Sequence, residues 1–197
     1  KFLNKKFLGM TEYISKKFNV TNNAMLIYNK KLSVCPVTTH LPLKLVNKMI
    51  SKKIIIQKIR LIKNFYKKNL RIDPNIAVLG LNPHCESIDN FSEEKKIIIP
   101  AIKFLKKINL NVEGPFPADT FFLKKNIEKF DVVIGMYHDQ VLTPLKTLYN
   151  FNAINITIGL PFLRISPDHG PNNIMLGKNK SDPSSVFYAM KFIKKIK

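Results

Sequence analysis

The chain has four histidines, and three of them close short apolar runs. His40 ends Leu32-Ser33-Val34-Cys35-Pro36-Val37-Thr38-Thr39. His84 follows Ile76-Ala77-Val78-Leu79-Gly80-Leu81-Asn82-Pro83, and His138 follows Val132-Val133-Ile134-Gly135-Met136-Tyr137. Runs of this kind, bounded by turn residues, read as buried strands. Open α/β sheets bind ligands just outside the carboxyl ends of their strands. The spacing therefore predicts three imidazoles along one sheet edge. Neutral imidazole suits zinc and other borderline divalent cations, and three protein ligands with one open position make a catalytic metal site. The separations of 44 and 54 residues match no local zinc motif such as HExxH. The competing reading is three unrelated histidines, each capping a strand or bonding a backbone carbonyl.

Other polar residues cluster around the same predicted edge. Asp119 and Asp139 are placed to orient a metal ligand or to hold a substrate amine. Turn aspartates that cap their own neighbours are the alternative. Lys146, Asn155 and Arg164 follow the His138 segment, and a lysine, an amide and an arginine near a ligand edge suit a phosphate or carboxylate. Arg164 is informative because only Arg60, Arg71 and Arg164 among the 33 basic residues are arginine. Lys146 on spacing alone reads as one more solvated lysine. His169, in Asp168-His169-Gly170, is a loop residue, either structural or ligand-facing. There is no GxGxxG, Walker loop, GxSxG or kinase set, so a dinucleotide would bind without the usual glycine fingerprint.

The elements that must position these residues alternate. A short amphipathic helix is predicted over Thr11–Phe18, with Thr11 as its cap. Strands follow at Ala24–Tyr28 and Leu32–Val37, joined by a tight turn at Asn29-Lys30. From Leu41 a long helical region runs to Asp73-Pro74, with Ile55, Ile59, Ile62 and Tyr66 on one core-facing stripe. Ile76–Leu81 is a strand, Asn90 and Glu93 form a capping box, and Pro100 kinks the helix that follows. Gly114–Thr120 reads as a rigid turn presenting Asp119, and Phe121–Phe130 as a short helix. The Val132 strand leads to a helix over Val141–Tyr149 despite Pro144. A strand at Ile154–Ile158, a polar turn at Ser166–Gly170 and a last helix near Ser185–Lys194 complete the chain. Strands alternating with helices mean an α/β fold with a largely parallel sheet flanked by helices. No repeat, linker or internal domain boundary is visible over residues 1–197.

Composition narrows the function classes. The net charge is +20, which invites a nucleic-acid reading. However, the basic residues are nearly all lysine, scattered over helical faces, whereas base readout favours the arginine fork. Coding bias that fills solvated faces with lysine explains this charge, and no specific nucleic-acid partner is expected. Cys35 and Cys85 give no disulfide framework. No apolar run reaches membrane-spanning length, and Lys1–Asn19 does not read as a signal peptide, so a cytoplasmic location with no membrane partner is expected. The first residue is Lys1, and the chain reads as a fragment of a longer protein.

Six segments together resemble the 4-hydroxythreonine-4-phosphate dehydrogenase family of pyridoxal phosphate (vitamin B6) biosynthesis. They are Thr38–Leu43, Gly80–His84, Gly114–Thr120, Met136–Gln140, Asn155–Phe162 and Asp168-His169-Gly170, in the family's order across nearly the whole chain. The resemblance implies an isocitrate/isopropylmalate dehydrogenase-like fold whose C-terminal portion this is, with the N-terminal part missing. It implies that His40, His84 and His138 bind one divalent cation (Zn, Mg or Co), in a site shared across a homodimer. It implies that Thr11, Asp119, Lys146, Asn155 and Arg164 bind a phosphorylated amino-acid substrate, with His138, Asp139 and Lys146 serving catalysis. NAD or NADP would accept the hydride, and decarboxylation would give an amino-ketone phosphate. A cation at the substrate hydroxyl would stabilise the negative charge that develops as hydride leaves. Three departures stand out. The family's N-terminal portion, with its Gly/Pro-rich opening motif, is absent. Met10 stands where the family has a histidine. Cys85–Asn90 replaces a glycine-rich stretch. These departures motivate the alternative of a non-catalytic truncated remnant that keeps fold and dimer.

Overall fold

A computed structural model describes residues 9–86, 92–168, 170 and 173–196. Its elements alternate as expected. They are α1 (Met10–Lys17), β1 (Ala24–Tyr28), β2 (Ser33–Pro36), α2 (Leu43–Met49), α3 (Lys52–Phe65) and β3 (Ile76–Leu79). Then come α4 (Ile99–Lys107), β4 (Val112–Phe116), α5 (Ala118–Phe121), α6 (Lys124–Ile127), β5 (Val132–Gly135), α7 (His138–Tyr149), β6 (Ile154–Ile158), β7 (Arg164–Pro167) and α8 (Ser184–Lys195). The strands form one seven-stranded sheet in the order β4-β3-β5-β2-β1-β6-β7. β4, β3, β5 and β2 are mutually parallel, and β1, β6 and β7 continue antiparallel. Two reversals restore direction, so β6 runs the same way as β2. Five of the seven strands therefore end at one edge, and β7 begins there.

Period-two alternation divides the core. β1 sends Ala24 and Leu26 to one face, where they pack with Ile55, Ile59 and Ile62 of α3, Ile102 and Leu105 of α4, and Phe192 of α8. It sends Met25 and Ile27 to the other, with Phe121, Val141, Leu142 and Leu145. Because helices cover both faces, β2, β3 and β5 are buried along their whole length, which is why they read as continuous apolar runs. Among the described residues no helix is long and apolar enough to cross a membrane.

The structure differs from the expected elements at several places. Gly9, not Thr11, precedes α1. The long helical region breaks at Ile50, where Ser51 Oγ accepts from Ile54 N and starts α3 afresh. A five-residue π-helical turn, Glu94–Ile98, leads into α4 just ahead of Pro100. Proline has no N–H and crowds the carbonyl four residues back, and a widened turn relieves both. The expected cap Asn90 lies outside the described residues. In place of the helix expected over Phe121–Phe130 stand the end of α5 at Phe121 and a separate one-turn helix, α6.

Two expected turns are strands. Gly114-Pro115-Phe116 belongs to β4, beside an irregular register at Ala77/Leu79. Gly114 has φ +127, and a Cβ there would lie 2.3 Å from the Val78 carbonyl oxygen. Gly114→Ala should therefore lower the unfolding free energy by about 1–3 kcal/mol, visible as a lower urea midpoint. Arg164–Pro167 is β7, an edge strand, where a terminal proline leaves no ladder donor missing.

Candidate active site at the carboxyl edge of the sheet

The strand directions bring the expected residues to one edge. β2 ends and delivers Thr38, Thr39 and His40. β3 ends and delivers Asn82 and His84. β4 delivers Asp119 through the first turn of α5, and β5 delivers His138 and Asp139 as the first residues of α7. Thr38 is fixed by its hydroxyl, which donates to the Met136 carbonyl at 2.7 Å and ties the β2 exit to the β5 exit. The His40 and His138 rings consequently stand 6.0 Å apart, centre to centre. Two imidazoles on one ion, each about 2.1 Å from it through nitrogen, lie roughly 5–6 Å apart by that measure.

Each of the three histidines has a carboxylate at Nδ1. His138 Nδ1 lies 2.7 Å from Asp139 Oδ1, His40 Nδ1 lies 3.3 Å from Glu12 Oε1, and His84 Nδ1 lies 3.8 Å from Asp119 Oδ2. At hydrogen-bond distance, as for His138 and His40, a carboxylate holds the proton on Nδ1 and leaves the Nε2 lone pair for a cation, the usual support of a metal-ligating histidine, whereas the His84–Asp119 contact is too long for a hydrogen bond. The donor set therefore fits a divalent ion. His84 is not brought to the other two. Among the described residues no three His, Cys, Asp or Glu side chains converge as a ready-made metal group within one chain. His84 is instead largely exposed, on a left-handed backbone (φ +55) that turns it outward.

The turn that carries His84 is held from below. Glu94 is almost fully buried, and its carboxylate accepts from Leu81 N (2.7 Å), Asn82 N (2.8 Å), Asn82 Nδ2 (2.9 Å) and Ser92 Oγ (2.8 Å). Burial pushes this carboxyl up, but hydrogen bonds from Asn82 and Ser92 outweigh it and hold its pKa below the ordinary 4.5. A lowered folded-state pKa adds stability above the unfolded value, and that stability is lost as pH falls through the folded value. Glu94→Gln should cost about 1–3 kcal/mol at neutral pH. It should also flatten the loss of stability below about pH 4.5, as read from denaturation curves across pH.

The anion-binding candidates fall into two groups. Arg164, at the start of β7, donates from its guanidinium to Thr157 Oγ1 at 2.9 Å and to Thr11 Oγ1 at 3.3 Å. It thereby links α1 to the edge beside Glu12 and His40. Lys146 reaches a different partner: its Nζ donates to both the carbonyl and the carboxylate of Asp168, each at 2.9 Å. Asn155 pairs with Ile27 on β1 and Ser166 on β7, on the face that packs against α7. Its side-chain oxygen is buried without a hydrogen-bond partner among the described residues. A buried acceptor left bare is costly, so a ligand donor is the natural complement. His169 lies outside the described residues. Met10 is exposed at the mouth of α1.

Two depressions flank the histidines. One, of about 610 Å³, runs between α5 and α7 past Asp119, Tyr137 and Asp139. The other, of about 300 Å³, lies beside His40, Glu12 and Thr39 and ends at Lys58. Lys58 is mostly buried, which lowers its pKa, and its ammonium donates to the Asn23 carbonyl. Glu12, Glu94 and Asp168 were not singled out as functional in the sequence. Glu12 lies within the expected first helix, beside Thr11, and Asp168 in the Asp168-His169-Gly170 segment. Glu94, among Ser92, Glu93, Lys95 and Lys96, carried no local signal, nor did Lys58 among so many lysines.

Helices on both faces of a mainly parallel sheet define an α/β protein, with imidazoles, carboxylates and an arginine along its carboxyl edge as the candidate site. The chain belongs to the family described as pyridoxal phosphate biosynthetic protein PdxA, whose model matches residues 3–193. It is 44% identical over 186 residues to a 4-hydroxythreonine-4-phosphate dehydrogenase of Sulfurihydrogenibium sp., covering 93% of this chain and 57% of that protein. It is 40% identical over 189 residues to the protein of the same name from Aquifex aeolicus, covering 95% and 58%. Among solved structures, a putative 4-hydroxythreonine-4-phosphate dehydrogenase from Salmonella typhimurium superposes with a TM-score of 0.81 at 35% identity, covering 96% of this chain and 58% of that one. The chain thus spans a little over half the length of the relatives it matches.

Proposed function

We propose that the chain is the C-terminal portion of a two-lobed, metal-dependent NAD(P)-linked dehydrogenase that oxidises 4-phosphohydroxythreonine and decarboxylates the product to an amino-ketone phosphate. The observation that carries this reading is the set of three strand-end histidines, two of them hydrogen-bonded to a carboxylate through Nδ1, on the edge that also bears Arg164. His40, His84 and His138 would hold one Zn, Mg or Co ion. The outward-turned His84 supports a site completed between two copies of the chain, His84 of one facing His40 and His138 of the other. Once bound by these histidines, the cation would supply charge stabilisation at the substrate hydroxyl, and NAD or NADP would be the hydride acceptor.

The chain's own groups do the rest. Arg164 and Thr11 bind the substrate phosphate, with Lys146 and Asn155 completing its shell. Lys146 then shares its ammonium between Asp168 and the phosphate, and Asn155 satisfies its bare oxygen with a substrate donor. Asp119 and Asp139 face the substrate amine, and Asp139 also holds the His138 imidazole in one tautomer. Phosphate binding fixes the distance between the charged end of the substrate and the carbon that gives up hydride. The test is substrate labelled with ¹³C at the carboxyl carbon. Carbon dioxide and reduced nucleotide should form in equal amounts. Reduced nucleotide without labelled carbon dioxide would remove the decarboxylation step. The exposed Met10, in place of the family's histidine, favours a second reading, a form that keeps the fold and dimer but not turnover.

A further inference from the structure

We infer that Gln140 is a positioning residue that sets the place of His84 relative to His138. The inference rests on the proposed role of these two histidines as metal ligands. Gln140 lies in the first turn of α7, two residues after His138, and is 9% exposed. Its amide oxygen accepts from Met136 N at 2.7 Å, which fixes the backbone between β5 and His138. Its amide nitrogen donates to the Gly80 carbonyl at 2.7 Å, four residues before His84. One buried side chain therefore ties the exit of β5 to the exit of β3. Leu81 N and Asn82 N, the next two backbone groups, are held by Glu94. Three successive backbone positions before Pro83 are thus pinned by side chains from other elements. That leaves the left-handed His84 little freedom in where it points.

The chemistry demands an amide. Gln140 must accept at one end and donate at the other, about one residue's reach apart, in a buried setting where an unpaired group is costly. A carboxylate keeps the acceptor but sets a negative oxygen against the Gly80 carbonyl. A methionine fills the same volume and makes neither bond. The space is tight: a Cβ on Gly135 would lie 2.4 Å from Val141 Cγ1 and 3.0 Å from Gln140 Oε1. The strut therefore has no slack in which to relax.

The experiment is NMR of the chain labelled at histidine, with four imidazoles assigned by single His→Gln substitutions, in wild type, Gln140→Glu and Gln140→Met. In both variants the His84 resonance should shift and broaden most, with His138 and, through Met136 and Thr38, His40 moving less. Co²⁺ affinity should fall about tenfold or more, the scale expected when support of a metal ligand is lost. Should Gln140→Met fail to fold, Gln140→Glu, which keeps the Met136 bond, carries the test. An unmoved His84 resonance in a folded variant would overturn the inference. If Co²⁺ leaves the wild-type histidine signals untouched, the metal reading fails, and the strut is still judged by His84 alone.

Discussion

His138→Ala should reduce Co²⁺ or Zn²⁺ affinity by about 100-fold or more, equivalent to about 2.7 kcal/mol, with little change in melting temperature. His138 is partly exposed at the start of α7 and contributes no core volume, so its loss removes a ligand without opening a cavity. Asp139→Ala should give a smaller drop, about 10-fold to 100-fold, because the imidazole stays but loses the carboxylate that fixes its Nδ1 proton. Calorimetric titration of metal into each variant reads both effects. Unchanged affinity in His138→Ala would sink the three-histidine site.

Arg164→Ala should weaken binding of the phosphorylated substrate by about 30-fold to 100-fold, the range for one lost charge-assisted hydrogen-bonding group. Arg164→Lys should recover little. The guanidinium already donates to Thr157 and Thr11 and has further donors in the same plane for an anion, whereas an ammonium is a single point charge. The discriminating comparison is with unphosphorylated hydroxythreonine, whose weaker binding should hardly change. A similar loss for both ligands would mean that Arg164 acts through the packing of α1 and not through the phosphate.

The edge itself was legible in the sequence because apolar strands and their exits are local signals. Val132–Gly135 and Ile76–Leu79 are buried on both faces, so they read as unbroken apolar runs, and each run places its histidine. What the sequence did not show is what pairing decides. β7 has half-buried Arg, Ile, Ser and Pro, a pattern that reads as a turn until β6 supplies the partner. Gly114-Pro115 reads as a turn for the same reason. Nor does sequence order reveal that Lys146 meets Asp168 before it meets any phosphate. The roles of Glu12, Glu94 and Gln140 depend on contacts across 28, 12 and 60 positions, and no local pattern announces those. His84 does follow β3, but it does not join His40 and His138 within one chain, and its left-handed backbone (φ +55) is nothing that composition encodes.

The most direct test of the account is reduction of NAD and of NADP by the purified chain with 4-phosphohydroxythreonine, before and after removal of divalent metal by a chelator and its restoration. The account predicts turnover that stops on chelation and returns with Zn, Mg or Co. Turnover indifferent to chelation, or none with metal bound and both nucleotides supplied, would contradict it, and the second result would make the chain a non-catalytic form of its family.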